Sequence, residues 1–210
     1  MQDQAARQHK DPKGRLATVV MATSIAVVAG AKEHQPLNSD KIRERFGHYG
    51  VELLHQDATT RLASLYSLDG DQRITRTLAL TRFELPIPDA LTGPDAEIRS
   101  GASIGATLRD AGWQVSKSAR VDCYSPAGQR FAELGGESLA PDQPVLIRVY
   151  TLQVKDAEMS ADYATIAEAY HPQHISVDSA LPCIDAAYES MTDSQVTALN
   201  ELLFTMGQGD

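Results

Sequence analysis

The chain has 210 residues, 42% of them hydrophobic and 22% charged, with a formal net charge of −9. That composition is ordinary for a globular protein, and the length suits one domain with a short appendage, large enough to bury a core without staples. The charge is acidic and no block of Lys and Arg stands out, so nucleic acid is not expected as a partner.

In chain order, Arg7, Lys10, Lys13 and Arg15 precede an apolar run, Leu16 to Ala31, that ends in Ala29-Gly30-Ala31. A positive region, a short apolar region and a small-residue exit describe a secretory signal. The run falls short of the roughly 20 residues a membrane span needs, so no stable span is expected. An uncleaved anchor and a buried core element are the alternatives, and Asp3 and Asp11 count against export. No Cys follows the run, which excludes a lipoprotein. Residues 1–31 are therefore a candidate signal segment and 39–206 a single domain. The protein is expected to be periplasmic or secreted if the signal operates, and cytoplasmic otherwise.

Asn38-Ser39-Asp40 offers an N-cap for a short helix, Lys41 to Phe46, ended by Gly47. A short strand follows at Val51 to Leu54. Arg61 to Leu68 and Arg73 to Phe83 both read as strands, and Asp69-Gly70 between them predicts a hairpin. Pro86 and Pro88 stop the second. Pro94 to Glu97 starts a helix with acidic residues in its first turn. The helical pattern breaks at Gly101 and Gly105 and resumes over Ala106 to Ala111. Trp113 to Cys123 suggests a strand, Ser125 to Gly136 a turn and short helix, and Pro144 to Val154 a strand. Ser160 to Tyr170 is ambiguous: its alanines favour helix, while Tyr163, Thr165 and Ile166 suit a strand. Thr192 to Gln195 opens a C-terminal helix with Val196, Leu199, Leu202 and Leu203 at helical spacing. Clustered strands with a few inserted helices predict an antiparallel α+β domain.

Cys123 and Cys183 are the two cysteines. They would pair in an exported domain and stay reduced in a cytosolic one, and the sequence leaves this open.

Alternation along Arg73–Phe83 places Arg76 on one face with Ile74, Leu78 and Leu80. A guanidinium there cannot shed its charge and needs an anionic partner, either a protein carboxylate or a ligand. If Ser160–Tyr170 is a strand, Ile166, Glu168 and Tyr170 share a face, and Glu168 is an inward carboxylate able to pair with Arg76 or act as an acid or base. Arg148, between Leu146 and Tyr150, is another inward charge.

Asp69-Gly70-Asp71-Gln72-Arg73-Ile74-Thr75-Arg76-Thr77 resembles the hairpin of chorismate lyase. Ser100 to Leu108, with Gly105, resembles that family's glycine-containing segment before a short helix. Ala164 to Pro172 is similar to its closing strand, which carries a Glu. The resemblance runs over roughly residues 50–175. It implies an antiparallel sheet of about six strands with helices packed on one side and an internal pocket. It further implies that Arg76 binds a ligand carboxylate and that Glu168 lies near the ligand's phenolic end. The UTRA-like ligand-binding domains of GntR-type regulators share that fold without the chemistry. Leu62-Ala63-Ser64-Leu65 stands where the lyases carry an Arg-Glu pair, and Ser103 replaces a Pro. The expected function is therefore binding of a small aromatic or carboxylate ligand. Its contacts are Arg76, Gly105, Arg148 and Tyr170, and no cofactor is expected. The alternative is a lyase that eliminates pyruvate from chorismate with Glu168 as its catalytic residue.

Two rival motifs are weaker. Gly101-Ala102-Ser103-Ile104-Gly105 matches the hydrolase elbow, with Ser103 as nucleophile and Asp122 and His171 in a permissible order. The apolar strand that must precede it is missing. Glu168, His171 and His174 have metal-ligand spacing, but Pro172 breaks any aligning helix. No metal is expected, and both histidines read as exposed after a strand end.

Overall fold

The computed structural model describes residues 36–185 and 190–207. The apolar run at 16–31, and with it the signal reading, lies outside the described residues. Helix α1 (Asn38–Phe46) leads into a meander of β1 (Gly50–Gln56), β2 (Thr60–Asp69) and β3 (Gln72–Phe83). A 3-10 turn and helices α2 (Thr92–Arg99) and α3 (Ile104–Asp110) follow. Then come β4 (Gln114–Pro126), α4 (Gly128–Gly135), β5 (Pro144–Lys155), β6 (Ser160–Tyr170), the two-residue β7 (Leu181–Pro182) and α5 (Asp193–Gly207). None of the described helices is long and apolar enough to cross a membrane.

Local chemistry closes the turns as the sequence suggests. Gly70 takes φ 58° in the Asp69-Gly70 turn, a conformation a side chain would strain. At the ends of the other hairpins, Asp57 Oδ1 accepts the Thr59 and Thr60 amides at 2.7 Å each, and Asp156 Oδ1 those of Glu158 and Met159 at 2.8 Å each. Thr192 and Gln195 form a capping box at the start of α5.

The strands make one seven-stranded sheet in the order β1-β2-β3-β6-β5-β4-β7. Its pairings are antiparallel except for β4 with β7. The α+β class and the antiparallel sheet are those expected, with β7 as one strand more; the helices, expected on one side, cover both faces. Cys123 on β4 is bonded to Cys183 just after β7, which settles the pairing that the sequence left open.

The Ser160–Tyr170 segment is a strand despite its alanines. β6 lies between β3 and β5 in the sheet centre and is buried continuously from Tyr163 to Tyr170. Two paired neighbours and two covered faces override a helix propensity worth tenths of a kcal/mol per residue. Its small residues have a use there. Ala167 and Ala169 join Leu78, Leu80, Ile147 and Val149 beneath Phe131 of α4 and Leu199, Leu202 and Met206 of α5. On the opposite face, Ile166, Tyr150 and Leu152 pack with Leu91, Ile98 of α2, Leu108 of α3 and Trp113.

Candidate ligand cavity

That second face holds a cavity of about 110 Å³. β2 supplies Arg61, Ala63 and Leu65, and β3 supplies Ala79 and Thr81. Val115, Ser116 and Lys117 come from β4, Tyr150 and Leu152 from β5, and Ile166 and Glu168 from β6. Val51 of β1 and Tyr49 just before it complete that side, while Ser103, Ile104 and Gly105 approach from the start of α3. The first turn of α1, with Pro36, Leu37, Asn38 and Ser39, covers it. A Cβ on Gly105 would stand 3.0 Å from a Leu37 methyl, so the missing side chain lets that cover sit down.

Glu168 is the polar hub. It is 4% exposed. Its Oε1 accepts the Asn38 side-chain amide at 3.2 Å, and its Oε2 accepts Lys117 Nζ at 3.2 Å and the Tyr170 hydroxyl. The Tyr150 hydroxyl also helps hold it ionised. Burial pushes the Glu168 carboxyl up, but Lys117 and the donated hydrogen bonds outweigh burial and hold it below its ordinary value. Burial and the same carboxylate push the Tyr150 and Tyr170 phenols up. Lys117 also lies over the Tyr150 ring, 4.0 Å from its centre.

Arg61 is the second charge, only 2% exposed. It faces Thr81 across the β2–β3 ladder. Its Nη1 donates to the Ile98 carbonyl at 2.7 Å and its Nη2 to the Gly101 carbonyl at 3.3 Å, while its Nε has no partner. Among the described residues no Asp or Glu forms an ion pair with it. Desolvation accordingly lowers its pKa, against the opposing influence of Tyr49 and Tyr163. The carbonyl end of α2 supplies a partial negative charge of about one half at most. Lys117 is matched by Glu168, so the excess charge of the cavity is the positive one on Arg61.

The sequence-predicted residues separate here. Glu168 and Gly105 line the cavity. Tyr170 stands behind Glu168 and donates to it. Arg148 is paired through Nε and Nη2 with Asp122, its neighbour on β4, at 2.9 Å each, and does not line the cavity.

Arg76 is also outside it and does not meet Glu168. The β2–β3 register shifts so that Leu65 faces Thr77 and Tyr66 faces Thr75, leaving Arg76 without an opposite residue. At this bulge the alternation breaks. Arg76 donates to Ser67 and Gln173 at 2.7 Å each and lies 4.0 Å over the Phe46 ring.

The rival motifs are dispersed. Ser103 Oγ accepts the Tyr49 hydroxyl at 3.1 Å, Asp122 is held by Arg120 and Arg148, and His171 meets Ser138. His171 Nδ1 accepts the Gln173 amide, so the proton of the neutral ring is on Nε2. No three His, Cys, Asp or Glu side chains among the described residues are grouped to hold a metal ion. His171 and His174 are buried, 0% and 4% exposed, rather than exposed. The chain turns back after β6 through His174 N–H to His171 O, and Arg45 of α1 clamps the His174 carbonyl at 2.9 Å.

Arg61, Lys117 and Asn38 were not singled out from the sequence. The hairpin register fixed by Asp69-Gly70 would set Arg61 opposite Leu80, and only the bulge at Arg76 moves it opposite Thr81. Asn38 reads as a cap, but α1 begins at Asn38 itself, with Leu37 at the N-cap position.

No family model matches the chain, and no curated protein matches it. Among solved structures it is similar to the C-terminal domain of Yurk from Bacillus subtilis subsp. subtilis str. 168. The two are 13% identical, with a TM-score of 0.34 over 60% of this chain and 90% of that one. A likeness of that degree assigns neither family nor ligand.

Proposed function

We propose that this domain binds a small monocarboxylate with a compact apolar body, in the manner of a chorismate lyase-like or UTRA-like ligand-binding domain. The observation that carries this reading is Arg61: a buried guanidinium on a cavity wall, with no acidic partner among the described residues. A planar fork of this kind suits a carboxylate. Ala63, Leu65, Ala79, Val115, Leu152 and Ile166 offer the apolar body its contacts. An engineered apolar cavity of about 150 Å³ takes benzene. One of about 110 Å³ therefore suits a small ring or a short branched acid and is far too small for a nucleotide.

Binding without turnover is favoured because Glu168 already receives Asn38, Lys117 and Tyr170. It is a charged, saturated acceptor, poorly placed to give or take a proton. The Cys123–Cys183 disulfide supports an oxidising compartment as the working location.

Titration of the protein with benzoate, 4-hydroxybenzoate and benzamide, followed by protein NMR shifts, tests the reading. The two carboxylates are expected to shift resonances of the cavity strands, and benzamide is not. Equal shifts with benzamide, or none with any of the three, would remove the carboxylate reading.

A further inference from the structure

The first turn of α1 closes the cavity, and its hold on the sheet is mainly polar. Only Ser39 and Ile42 of α1 are buried. The Asn38 side-chain amide group donates to Thr77 Oγ1 at 3.1 Å and to Glu168 Oε1 at 3.2 Å. Asn38 Oδ1 meets His174 Nε2 at 2.7 Å. Asp40 pairs with Arg109 of α3 at 2.9 Å, and Arg45 with the His174 carbonyl. A short helix with so little apolar burial belongs to the low-stability end of a fold.

The hydrogen-bond roles are forced. Glu168 is an ionised acceptor, so Asn38 must turn its amide group to it and its oxygen to His174. His174 Nε2 therefore carries the ring proton. Its Nδ1 is buried without a partner. A second proton would create a buried donor with no acceptor. It would also arrive beside Arg45 and Lys41 of α1 and Arg76 of β3, with Glu168 opposing them. The Phe46 and Tyr170 rings close the remaining sides.

We propose that α1 is a pH-released cover of the cavity, latched through Asn38 to Glu168 and His174 and opened when His174 takes a proton. As a statement about access to the ligand, this rests on the carboxylate-cavity reading. Burial, aided by Arg45, Lys41 and Arg76 against Glu168, pulls the His174 ring down to about 4 in the closed protein. With α1 lifted, the ring regains an ordinary value of about 6.5. The open form therefore binds more protons between those values, and acid shifts the population toward it.

Hydrogen exchange of the α1 amides tests the cover on the ligand-free chain, so its failure and that of the carboxylate reading are distinguishable. Between about pH 7 and about pH 5, wild-type α1 exchange, corrected for the intrinsic rate, is expected to accelerate on the order of tenfold. The amides of β3 and β6 should keep their protection. His174→Gln, which cannot titrate, should hold α1 exchange flat over the same range. Asn38→Ala should already exchange fast at neutral pH. Absence of acceleration in the wild type, equal acceleration in His174→Gln, or loss of α1 only together with the sheet would overturn the proposal. Should His174→Gln not fold, Asn38→Ala decides: α1 exchange no faster than wild type at neutral pH would overturn it.

Discussion

Lys117 Nζ stands 3.2 Å from Glu168 Oε2 in a wall of the cavity. Among the described residues, this ion pair neutralises the one acidic group lining it and leaves Arg61 as the unmatched charge. The same pair fixes Glu168 in the role of acceptor. Breaking such a pair from one side costs more than replacing both partners, because the remaining charge stays desolvated. Glu168→Leu is thus expected to lower stability by about 3–5 kcal/mol. Adding Lys117→Met should return a large part of that loss. Urea unfolding of the two variants checks this, and a double variant as unstable as Glu168→Leu would show that the pair is not the hub.

A saturated, ionised Glu168 also bears on chemistry. Incubated with chorismate, the protein is expected to release no pyruvate above the uncatalysed rate. A coupled pyruvate assay reads this directly. Release that disappears in Glu168→Gln would make the chain a lyase.

Acid should weaken the fold through His171 as well. Burial, with Arg76 nearby, pulls this ring down to about 4, against about 6.5 in the unfolded chain. The unfolded state then binds more protons between those values, so the contribution is complete above about pH 6.5 and lost as pH falls toward 4. From about pH 7 to about pH 5 the loss is about 2 kcal/mol. Urea midpoints across that range should fall in the wild type and fall less in His171→Gln. Identical slopes would contradict the burial of a neutral His171.

The fold was largely legible and the site only partly. Turn chemistry at Asp69-Gly70, apolar spacing on α5 and strand runs on β2, β3 and β5 located most elements. Ser160–Tyr170 was ambiguous because local propensity and central-strand burial oppose one another there, and only tertiary pairing decides. Glu168 and Gly105 reach the cavity. Arg76 does not: alternation groups it with Leu78 and Leu80, which lie on the α4 and α5 side, and the bulge beside it then turns it to Ser67, Gln173 and Phe46. Apolar content was also a poor guide to the face that carries the cavity. Leu78 and Leu80 lie under α4 and α5, while Ala79 and Thr81 line the cavity. Small and polar strand residues leave room that leucines would fill.

The disulfide joins residues 60 apart in sequence. Closing a loop of that length restricts the unfolded chain by about 4 kcal/mol in the chain-entropy treatment. Replacing both cysteines by Ser should lower the denaturation midpoint accordingly while the sheet survives. An unchanged midpoint would mean that Cys123 and Cys183 are not bonded in solution.

Arg61 carries the central claim, and calorimetric titration with 4-hydroxybenzoate of the wild type, Arg61→Met and Arg76→Ala tests it most directly. Removing the buried guanidinium of Arg61 removes the carboxylate's partner, and affinity should fall at least about tenfold, the equivalent of one charge-assisted hydrogen bond. Arg76 lies outside the cavity, so Arg76→Ala should bind like the wild type. Wild-type affinity in Arg61→Met together with lost binding in Arg76→Ala would contradict the assignment.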